Sequence, residues 1–378
     1  MKVTIVGAGL GGLCLVQGLR AAGIEATVYE RDPGITARFQ GYRIGLGELG
    51  DSALRACLPR ALHPVLEAVK GDLAGERTRL NHRLERTGAD SSALAVAIDR
   101  HVLRHLLLSG IGEHVRFGDA FTGYEPLPGG GVRAHFAGKT SSIDSDLLVG
   151  ADGIGSAVRA QLSPETPVED SGVRALIGRT PLTERFAALV PGFGTGVSDG
   201  EVTMMLGLMR FRVLPGVLNA MAPELGLPEA GHYLRWVIML APDHSVLARQ
   251  DLSMQEIALE LTRGWHADVR AVIEDADRDN SVLLSIRTVS PAERWPAGPV
   301  TLLGDAIHAT SPSGGNGANT ALHDADQLRR KLIAVRDGRL PLADAVNAYE
   351  TDMIDYGTEA VAHSLRELDR FRRPAAAR

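Results

Sequence analysis

The sequence has few cysteines, no long apolar run and no excess of positive charge. Cys14 and Cys57 are the only cysteines in 378 residues, and neither belongs to a C-x-x-C pair. This scarcity excludes a disulfide-built scaffold and a cysteine zinc site, and it fits a reducing, cytoplasmic compartment. No window approaches the roughly 20 apolar residues of a membrane-spanning helix. The net charge of −6 gives no sign of nucleic-acid binding.

The length of the chain predicts about two domains, because 378 residues exceed the size at which one hydrophobic core keeps growing. We predict an α/β nucleotide-binding domain that is discontinuous in sequence and ends in a long carboxy-terminal helix. A smaller, β-sheet substrate-binding domain is inserted into it. The nucleotide-binding domain is assigned residues 1–70, 95–165 and 290–370, the substrate-binding domain residues 71–94 and 166–289, and a disordered tail residues 371–378.

The amino terminus carries the strongest local pattern. Lys2 to Val6 reads as a buried parallel strand, and Gly7, Gly9 and Gly12 then fit G-x-G-x-x-G before a helix and a second strand that ends at Glu30. Such glycines permit a tight turn, the approach of a pyrophosphate to bare backbone and close packing of helix on strand, while the acid accepts from ribose hydroxyls. The strand, turn, helix, strand and acid occur in the required order, which disfavours a glycine-rich helix start that binds nothing. The same stretch adds Leu10, Gly11 and Arg31 to the predicted site.

Two later segments repeat the pattern of a buried strand that ends in an acid. The first ends in Asp152 and Gly153, and the Asp152 carboxylate either holds a ribityl or ribose hydroxyl or is an ordinary turn residue. The second ends at Asp305, whose carboxylate can accept from a ribityl hydroxyl. A glycine-rich segment, 312–319, then opens a long helix. Its glycines let a ring system lie against bare backbone, and the helix amino terminus directs its N–H groups at that ring.

Two arginines lie where they can contact a phosphate. Arg43 follows a Gly- and Arg-rich stretch, and a solvated surface position is its alternative. Arg100 stands in the first turn of a helix that Asp99 is predicted to cap. A cation is unfavourable there unless an anion lies nearby, so a cofactor phosphate and simple exposure both remain open.

The middle of the chain has strand-like segments with many methionines and lacks a second G-x-G-x-x-G. Methionine suits an adaptable apolar pocket or plain core filling. Gly71 to Asp90, which is polar and rich in turn residues, is expected to be a surface excursion.

Taken together, the three motifs resemble the group A flavoprotein monooxygenases, which share the fold of para-hydroxybenzoate hydroxylase. The resemblance implies FAD, bound non-covalently, with the pyrophosphate on the first glycine loop, the ribityl chain on Asp305 and the flavin edge on the segment 312–319. It also implies that Arg100, Asp152 and Gly153 contact FAD. In the flavin-edge segment the matching positions are Pro312, Gly315, Gly317, Ala318 and Asn319. Asn316 departs from the glutamine that relatives often carry there.

The resemblance further implies that NAD(P)H acts as a transient co-substrate and that dioxygen adds at flavin C4a. The resulting hydroperoxide hydroxylates an apolar aromatic small molecule, phenolic or polyketide-like, in secondary metabolism. No thioredoxin-like third domain is recognised, which is typical of compact members, and a monomer or weak homodimer is expected. Oxygen insertion beside a ketone and a flavin-holding accessory protein without NAD(P)H turnover remain alternatives.

No catalytic acid or base and no metal site is assigned. The polar residues of the predicted substrate domain are not distinguished by any spacing, and a histidine in the third motif is more typical of a loop-fixing residue. These unassigned residues are Arg210, Arg212, His232, Tyr233, Arg235 and His308.

Overall fold

The computed structural model describes residues 1–37, 41–73, 75–91, 96–277, 281–291 and 294–372. The strands are β1 Lys2–Val6, β2 Glu25–Glu30, β3 Arg43–Leu46, β4 Lys70–Asp72, β5 Arg77–Asn81, β6 Arg86–Asp90, β7 Val96–Asp99, β8 Val115–Phe117, β9 Ala120–Pro126, β10 Val132–Ala137, β11 Ser142–Ser145, β12 Leu147–Gly150, β13 Glu169–Pro181, β14 Gly194–Ser198, β15 Thr203–Met209, β16 Tyr233–Leu240, β17 Val282–Thr288 and β18 Val300–Leu302. The helices are α1 Leu10–Ala21, α2 Glu48–Cys57, α3 His63–Ala68, α4 Arg100–Leu108, α5 Ala157–Leu162, α6 Glu184–Ala187, α7 Pro215–Met221, α8 Met254–Leu261, α9 Ala267–Glu274, α10 Gly317–Arg336 and α11 Leu342–Arg372. Short 3-10 turns lie between several of them.

A five-stranded parallel sheet, ordered β18-β12-β1-β2-β8, holds the amino-terminal motif at its centre. Helices α1 and α10 pack against each other beside this sheet, and α2 packs against both. Strand β1 is buried from Val3 onward, as expected for a β-branched strand covered on both faces. Because β1, β12 and β18 are neighbours, the loops that follow all three strands meet at one edge. The predicted α/β fold is confirmed.

A second, seven-stranded sheet, ordered β17-β13-β16-β15-β14-β5-β6, is antiparallel except for the parallel pair β14 and β5. Its back face buries an apolar cluster that includes Leu234, Trp236 and Ile238 and packs against α8 and α9. The alternating residues of β16 lie on the opposite face, which we call the front face. Of these, Val237 and Met239 join a small apolar cluster with α11.

The prediction that Gly71 to Asp90 is a surface excursion is wrong. Strand β4 joins β3 and β7 in a small sheet, and the hairpin of β5 and β6 extends the seven-stranded sheet. The segment lacks an apolar pattern because its strands lie at or near sheet edges, where half of the side chains face water.

The long carboxy-terminal helix α11 is observed, and it extends to Arg372. Residues 371 and 372 are therefore helical rather than part of the predicted tail, and residues 373–378 lie outside the described residues. None of the helices in the described ranges is long and apolar enough to cross a membrane.

Candidate functional site

The first glycine loop packs tightly against the neighbouring backbone, so that two of its glycines have no space for a side chain. Gly7 has a φ of +107°, and a Cβ there would lie 2.3 Å from the carbonyl oxygen of Ala151. A Cβ on Gly12 would lie 2.1 Å from the carbonyl oxygen of Gly7. Gly9 differs, because the nearest atom to a Cβ there is 4.0 Å away. Its open side makes this backbone accessible to a ligand, and α1 begins just beyond it without a side-chain cap on its first N–H groups.

Glu30 and Arg104 hold this loop from the side of the second strand. The buried Glu30 carboxylate accepts from the backbone N–H of Ala8 at 2.7 Å and of Asp32 at 3.0 Å. Arg104 is also buried and donates to the carbonyl oxygens of Ala8, at 3.0 Å, and Ile35, at 2.7 Å. Sequence reasoning missed Arg104, and its only signal was a charged residue on the apolar face of α4.

A cavity of about 160 Å³ lies beside the loop. Seven of the predicted site residues line it, namely Gly7, Gly9, Glu30, Arg31, Arg100, Asp152 and Gly153. Leu10, Gly11 and Gly12 are buried in α1 behind this lining. The remaining predicted residues lie in β3 or in the third motif, outside the lining of this cavity.

Asp152 is engaged by the start of α5. Its carboxylate accepts from the Ser156 hydroxyl at 2.5 Å and from the backbone N–H of Ala157 at 2.8 Å. Burial raises the pKa of Asp152, and these hydrogen bonds oppose that rise. The carboxylate thus shapes the loop that carries Gly153 as well as lining the cavity.

The third motif places Asp305 in a 3-10 turn, Gly304–Ala306, directly after β18. The Asp305 side chain is exposed to solvent but surrounded closely enough by protein that desolvation raises its pKa, while the positive charge of Arg100 opposes the rise. Arg100 also lines the cavity, so it lies between the first and third motifs. Arg159 ties the second motif to the third, because it donates to the carbonyl oxygen of Ala306 at 2.7 Å.

A buried network anchors this turn to the last two helices. Asp324 of α10 accepts from the backbone N–H of Gly304 at 2.6 Å, from Nε2 of His308 at 2.7 Å and from the Tyr356 hydroxyl at 2.6 Å. Asp324 and His308 are both fully buried. Burial opposes protonation of His308, but the Asp324 carboxylate outweighs it and raises the pKa of His308.

This ion pair makes stability depend on pH. Because the pKa of His308 is higher in the folded chain than its ordinary value of about 6.5, its proton stabilises the fold fully below pH 6.5. That contribution is lost as the pH rises through the folded-state pKa. We expect the thermal unfolding midpoint of the wild type to fall more steeply than that of His308→Gln as the pH rises. Both midpoints are measured by circular dichroism from pH 5.5 to 9. The same pH dependence in the two proteins would contradict a raised pKa for His308.

The segment 312–319 brings a helix amino terminus up to the front face of the seven-stranded sheet. Gly315 has a φ of +68°, which favours glycine, and α10 begins without a side-chain cap. The Ser313 hydroxyl lies 3.8 Å from the sulfur of Met239, on the front face. Gly317 lies beside Asp305, since a Cβ there would lie 3.8 Å from Oδ1 of that residue. Pro312 and Ala318 flank this turn and are at least partly exposed.

Asn319 joins the same segment to β3. Its side-chain amide donates to the carbonyl oxygens of Gly45 and Gly315, and its oxygen accepts from the backbone N–H of Gly47 at 2.9 Å. Two residues before Gly45, the guanidinium of Arg43 points to the seven-stranded sheet, where it lies over the Phe193 ring at 5.6 Å from the ring centroid. Contact of Arg43 with a cofactor phosphate stays a prediction.

Comparisons with known proteins identify the scaffold. A family profile described as an FAD binding domain matches residues 112–364, and a profile described as an NAD(P)-binding Rossmann-like domain matches residues 5–67. A solved structure from Photorhabdus luminescens, described as a candidate FAD-containing monooxygenase, is 32% identical, covers 97% of both chains and has a TM-score of 0.84. The chain belongs to the FAD-dependent monooxygenase family. Its cofactor is FAD, as predicted.

Curated relatives of this flavoprotein differ in length. A dual O-methyltransferase/FAD-dependent monooxygenase from Cercospora beticola is 30% identical over 93% of this chain, but the chain spans only 44% of that relative. A 3-amino-4-hydroxybenzoate 2-monooxygenase from Streptomyces cremeus is 29% identical over 99% of this chain and 88% of its own length.

The residues present in this flavoprotein fit FAD. The first glycine loop has bare backbone at Gly9, with space for a phosphate and an uncapped helix amino terminus beyond it. The third motif has a second uncapped helix amino terminus, at α10, beside the Asp305 carboxylate. The two sites lie at the same edge of the parallel sheet, and Arg100 lies between them.

Proposed function

We propose that this chain is a monooxygenase that uses FAD, NAD(P)H and dioxygen to hydroxylate a small aromatic molecule. The observation that carries the proposal is the contact of Ser313, in the short turn that precedes α10, with Met239 on the front face. A cofactor ring held on the segment 312–319 would lie next to this contact, beside the front face. We also propose the division into two domains predicted from the sequence, with the front face as the wall of the substrate site.

Most of the predicted residues have a role in this proposal. Gly7, Gly9 and Gly12 form the pyrophosphate turn, and Glu30, whose carboxylate is already held by two backbone N–H groups, orients the loop and meets the ribose. The remaining contacts to FAD are assigned to the other two motifs and to arginine. These are Arg31, Arg100, Asp152, Gly153, Asp305, Pro312, Gly315, Gly317, Ala318 and Asn319.

When bound, FAD supplies the redox chemistry that activates oxygen. The protein itself would bind and orient FAD and the substrate, and it would exclude water from the site. The uncapped N–H groups at the start of α10 stabilise negative charge on whatever faces them. Val237 and Met239, both buried on the front face, make the opposite wall apolar and keep water out.

The names of the relatives support the proposal that the substrate is aromatic. The name of the Streptomyces cremeus relative describes an enzyme that acts on an aromatic hydroxy acid. We extend that class to this chain, with phenolic and polyketide-like molecules as the range to be screened.

The test is a spectrum followed by an oxidation assay. We expect the purified protein to show flavin absorbance and to oxidise NADPH or NADH faster when an aromatic substrate from a panel of phenols and aromatic polyketides is added, with an oxygenated product. A product that carries an oxygen atom inserted beside a ketone would show that the reaction is oxygen insertion and not hydroxylation. Bound FAD with no response to either nucleotide would favour a flavin-holding accessory protein instead.

A further inference from the structure

The sulfur atom of Met239 lies where the front face of the seven-stranded sheet meets the flavin-edge segment. The hydroxyl of Ser313, in the short turn before α10, donates to this sulfur at 3.8 Å. Met239 belongs to β16, is only 8% exposed and lies in the small apolar cluster of the front face with Val237 and Leu368. Unlike the aliphatic side chains around it, a thioether takes up an oxygen atom and becomes a sulfoxide.

The Ser313 hydroxyl is directed at the sulfur by Ser311. The buried Ser311 hydroxyl donates to Oγ of Ser313 at 3.2 Å and accepts from the backbone N–H of Ser313 at 3.3 Å. Ser311 is itself held by α11, because its backbone N–H donates to the Ser364 hydroxyl at 3.0 Å. With the Ser313 oxygen engaged by Ser311, the Ser313 proton is directed to Met239.

An oxidised Met239 would find a better hydrogen-bond partner in Ser313 than the thioether does. Thioether sulfur is a weak acceptor, whereas the sulfoxide is a polar group. A polar group buried in an apolar wall without a partner destabilises the protein. At this position the donor is already in place, so the sulfoxide oxygen can accept from the Ser313 hydroxyl. The site therefore suits the oxidised side chain as well as the reduced one.

We propose that Met239 is an internal oxygen acceptor, converted to methionine sulfoxide when FAD is reduced and no substrate is bound. The inference rests on the proposed function, because it requires the flavin to lie on the segment 312–319. One atom of dioxygen forms a bond to the sulfur, the bond between the two oxygen atoms breaks, and the second atom leaves as water. The sulfur provides two electrons, NAD(P)H provides two more through FAD with one proton, and solvent provides the other proton.

Two other methionines distinguish oxidation within the site from oxidation by bulk peroxide. Met204 lies on the neighbouring strand β15 but faces the back of the sheet, where it is fully buried. Met221 of α7 is 79% exposed. Peroxide in solution oxidises exposed residues first, so it should reach Met221 before Met239. An oxygen atom transferred at the flavin-edge segment should reach Met239 first and spare both of the others.

The test follows methionine oxidation by peptide mass spectrometry in the FAD-loaded protein. FAD is reduced under nitrogen with stoichiometric dithionite, ¹⁸O-labelled dioxygen is admitted in the presence of catalase, and the cycle is repeated. We expect about tenfold more labelled sulfoxide at Met239 than at Met221 or Met204. Hydrogen peroxide added to the oxidised protein should reverse the order of Met239 and Met221. Absence of label at Met239 after the cycles, or no more label than at Met221, overturns the inference.

The use of dithionite separates this inference from the proposed function. Dithionite replaces NAD(P)H as the reductant, so the labelling result does not depend on whether the protein oxidises either nucleotide. NADPH and NADH oxidation with the panel of phenols is measured separately and reports on the proposed function alone.

Thermal stability provides a second readout. Met239→Leu keeps an apolar side chain of similar volume and removes the sulfur, whereas Ser313→Ala keeps the sulfur and removes the donor. We expect the cycles to lower the thermal midpoint of Ser313→Ala more than that of the wild type, because its sulfoxide has lost the donor, and to leave that of Met239→Leu unchanged. Met221→Leu is the matched surface control and should behave as the wild type. The same fall in all four proteins would place the damage at another residue and overturn the inference.

Discussion

Gly12→Ala is expected to yield a protein that is unstable and colourless. The new methyl group would lie 2.1 Å from the carbonyl oxygen of Gly7, and neither backbone segment can move without displacing α1 from β1. We expect a loss of about 3 kcal/mol in the free energy of unfolding, the upper range for overpacking a buried site. Urea unfolding followed by circular dichroism measures it, and the flavin absorbance of the purified protein measures cofactor content.

Two alanine variants distinguish an effect on folding stability from an effect on FAD binding. Gly9→Ala has space for its methyl group, so it should fold with nearly normal stability and yet hold FAD weakly, because that methyl group occupies the side left open for a phosphate. Gly112→Ala adds a methyl group where no atom lies within 4 Å and should change neither property. Full FAD occupancy in Gly9→Ala would show that the first glycine loop does not contact the cofactor.

Asp324→Ala is expected to have the second large effect. It leaves three donors without an acceptor, namely the buried N–H of Gly304, the buried Nε2 of His308 and the hydroxyl of the half-buried Tyr356. Removing one partner of a buried charged network costs about 3–5 kcal/mol. The 3-10 turn that carries Asp305 loses its anchor at the same time, so FAD retention should fall with stability.

The control for Asp324→Ala is Tyr356→Phe, which removes one hydrogen bond and leaves the carboxylate paired with His308. We expect a cost of about 1 kcal/mol and nearly full FAD content. Both variants are compared by urea unfolding and by the fraction of FAD retained after gel filtration. Equal losses for the two would mean that the carboxylate does not organise the turn.

The sequence allowed the parallel sheet and the order of its three loops to be predicted, because glycine spacing and terminal acids are local signals. The capping of α4 by Asp99, also a local feature, is observed as predicted, with two N–H groups donating to its carboxylate at 2.9 Å. The contact of Ser313 with Met239 could not be predicted. These two residues are far apart in the chain and meet only when the third motif packs beside the front face, for which the sequence has no local signal.

The same limit applies to residues that support the site from behind. Arg104 and Asp324 are charged residues on helices, where a solvated position is the usual expectation. Both are buried, Arg104 bonds to the loop of the first motif, and Asp324 bonds to the turn of the third. Only the three-dimensional packing of α4 and α10 distinguishes them from surface charges.

The parallel pairing of β5 with β14 affects the order in which the chain can fold during synthesis. Arg77 emerges from the ribosome well over a hundred residues before its partner Gly194. At typical rates of about 5–20 residues per second, the β5–β6 hairpin waits several seconds or more for the strand that covers its open edge. During that interval the edge is available to chaperones and to other nascent chains. Codon choice between residues 91 and 194 is therefore expected to influence the yield of folded protein.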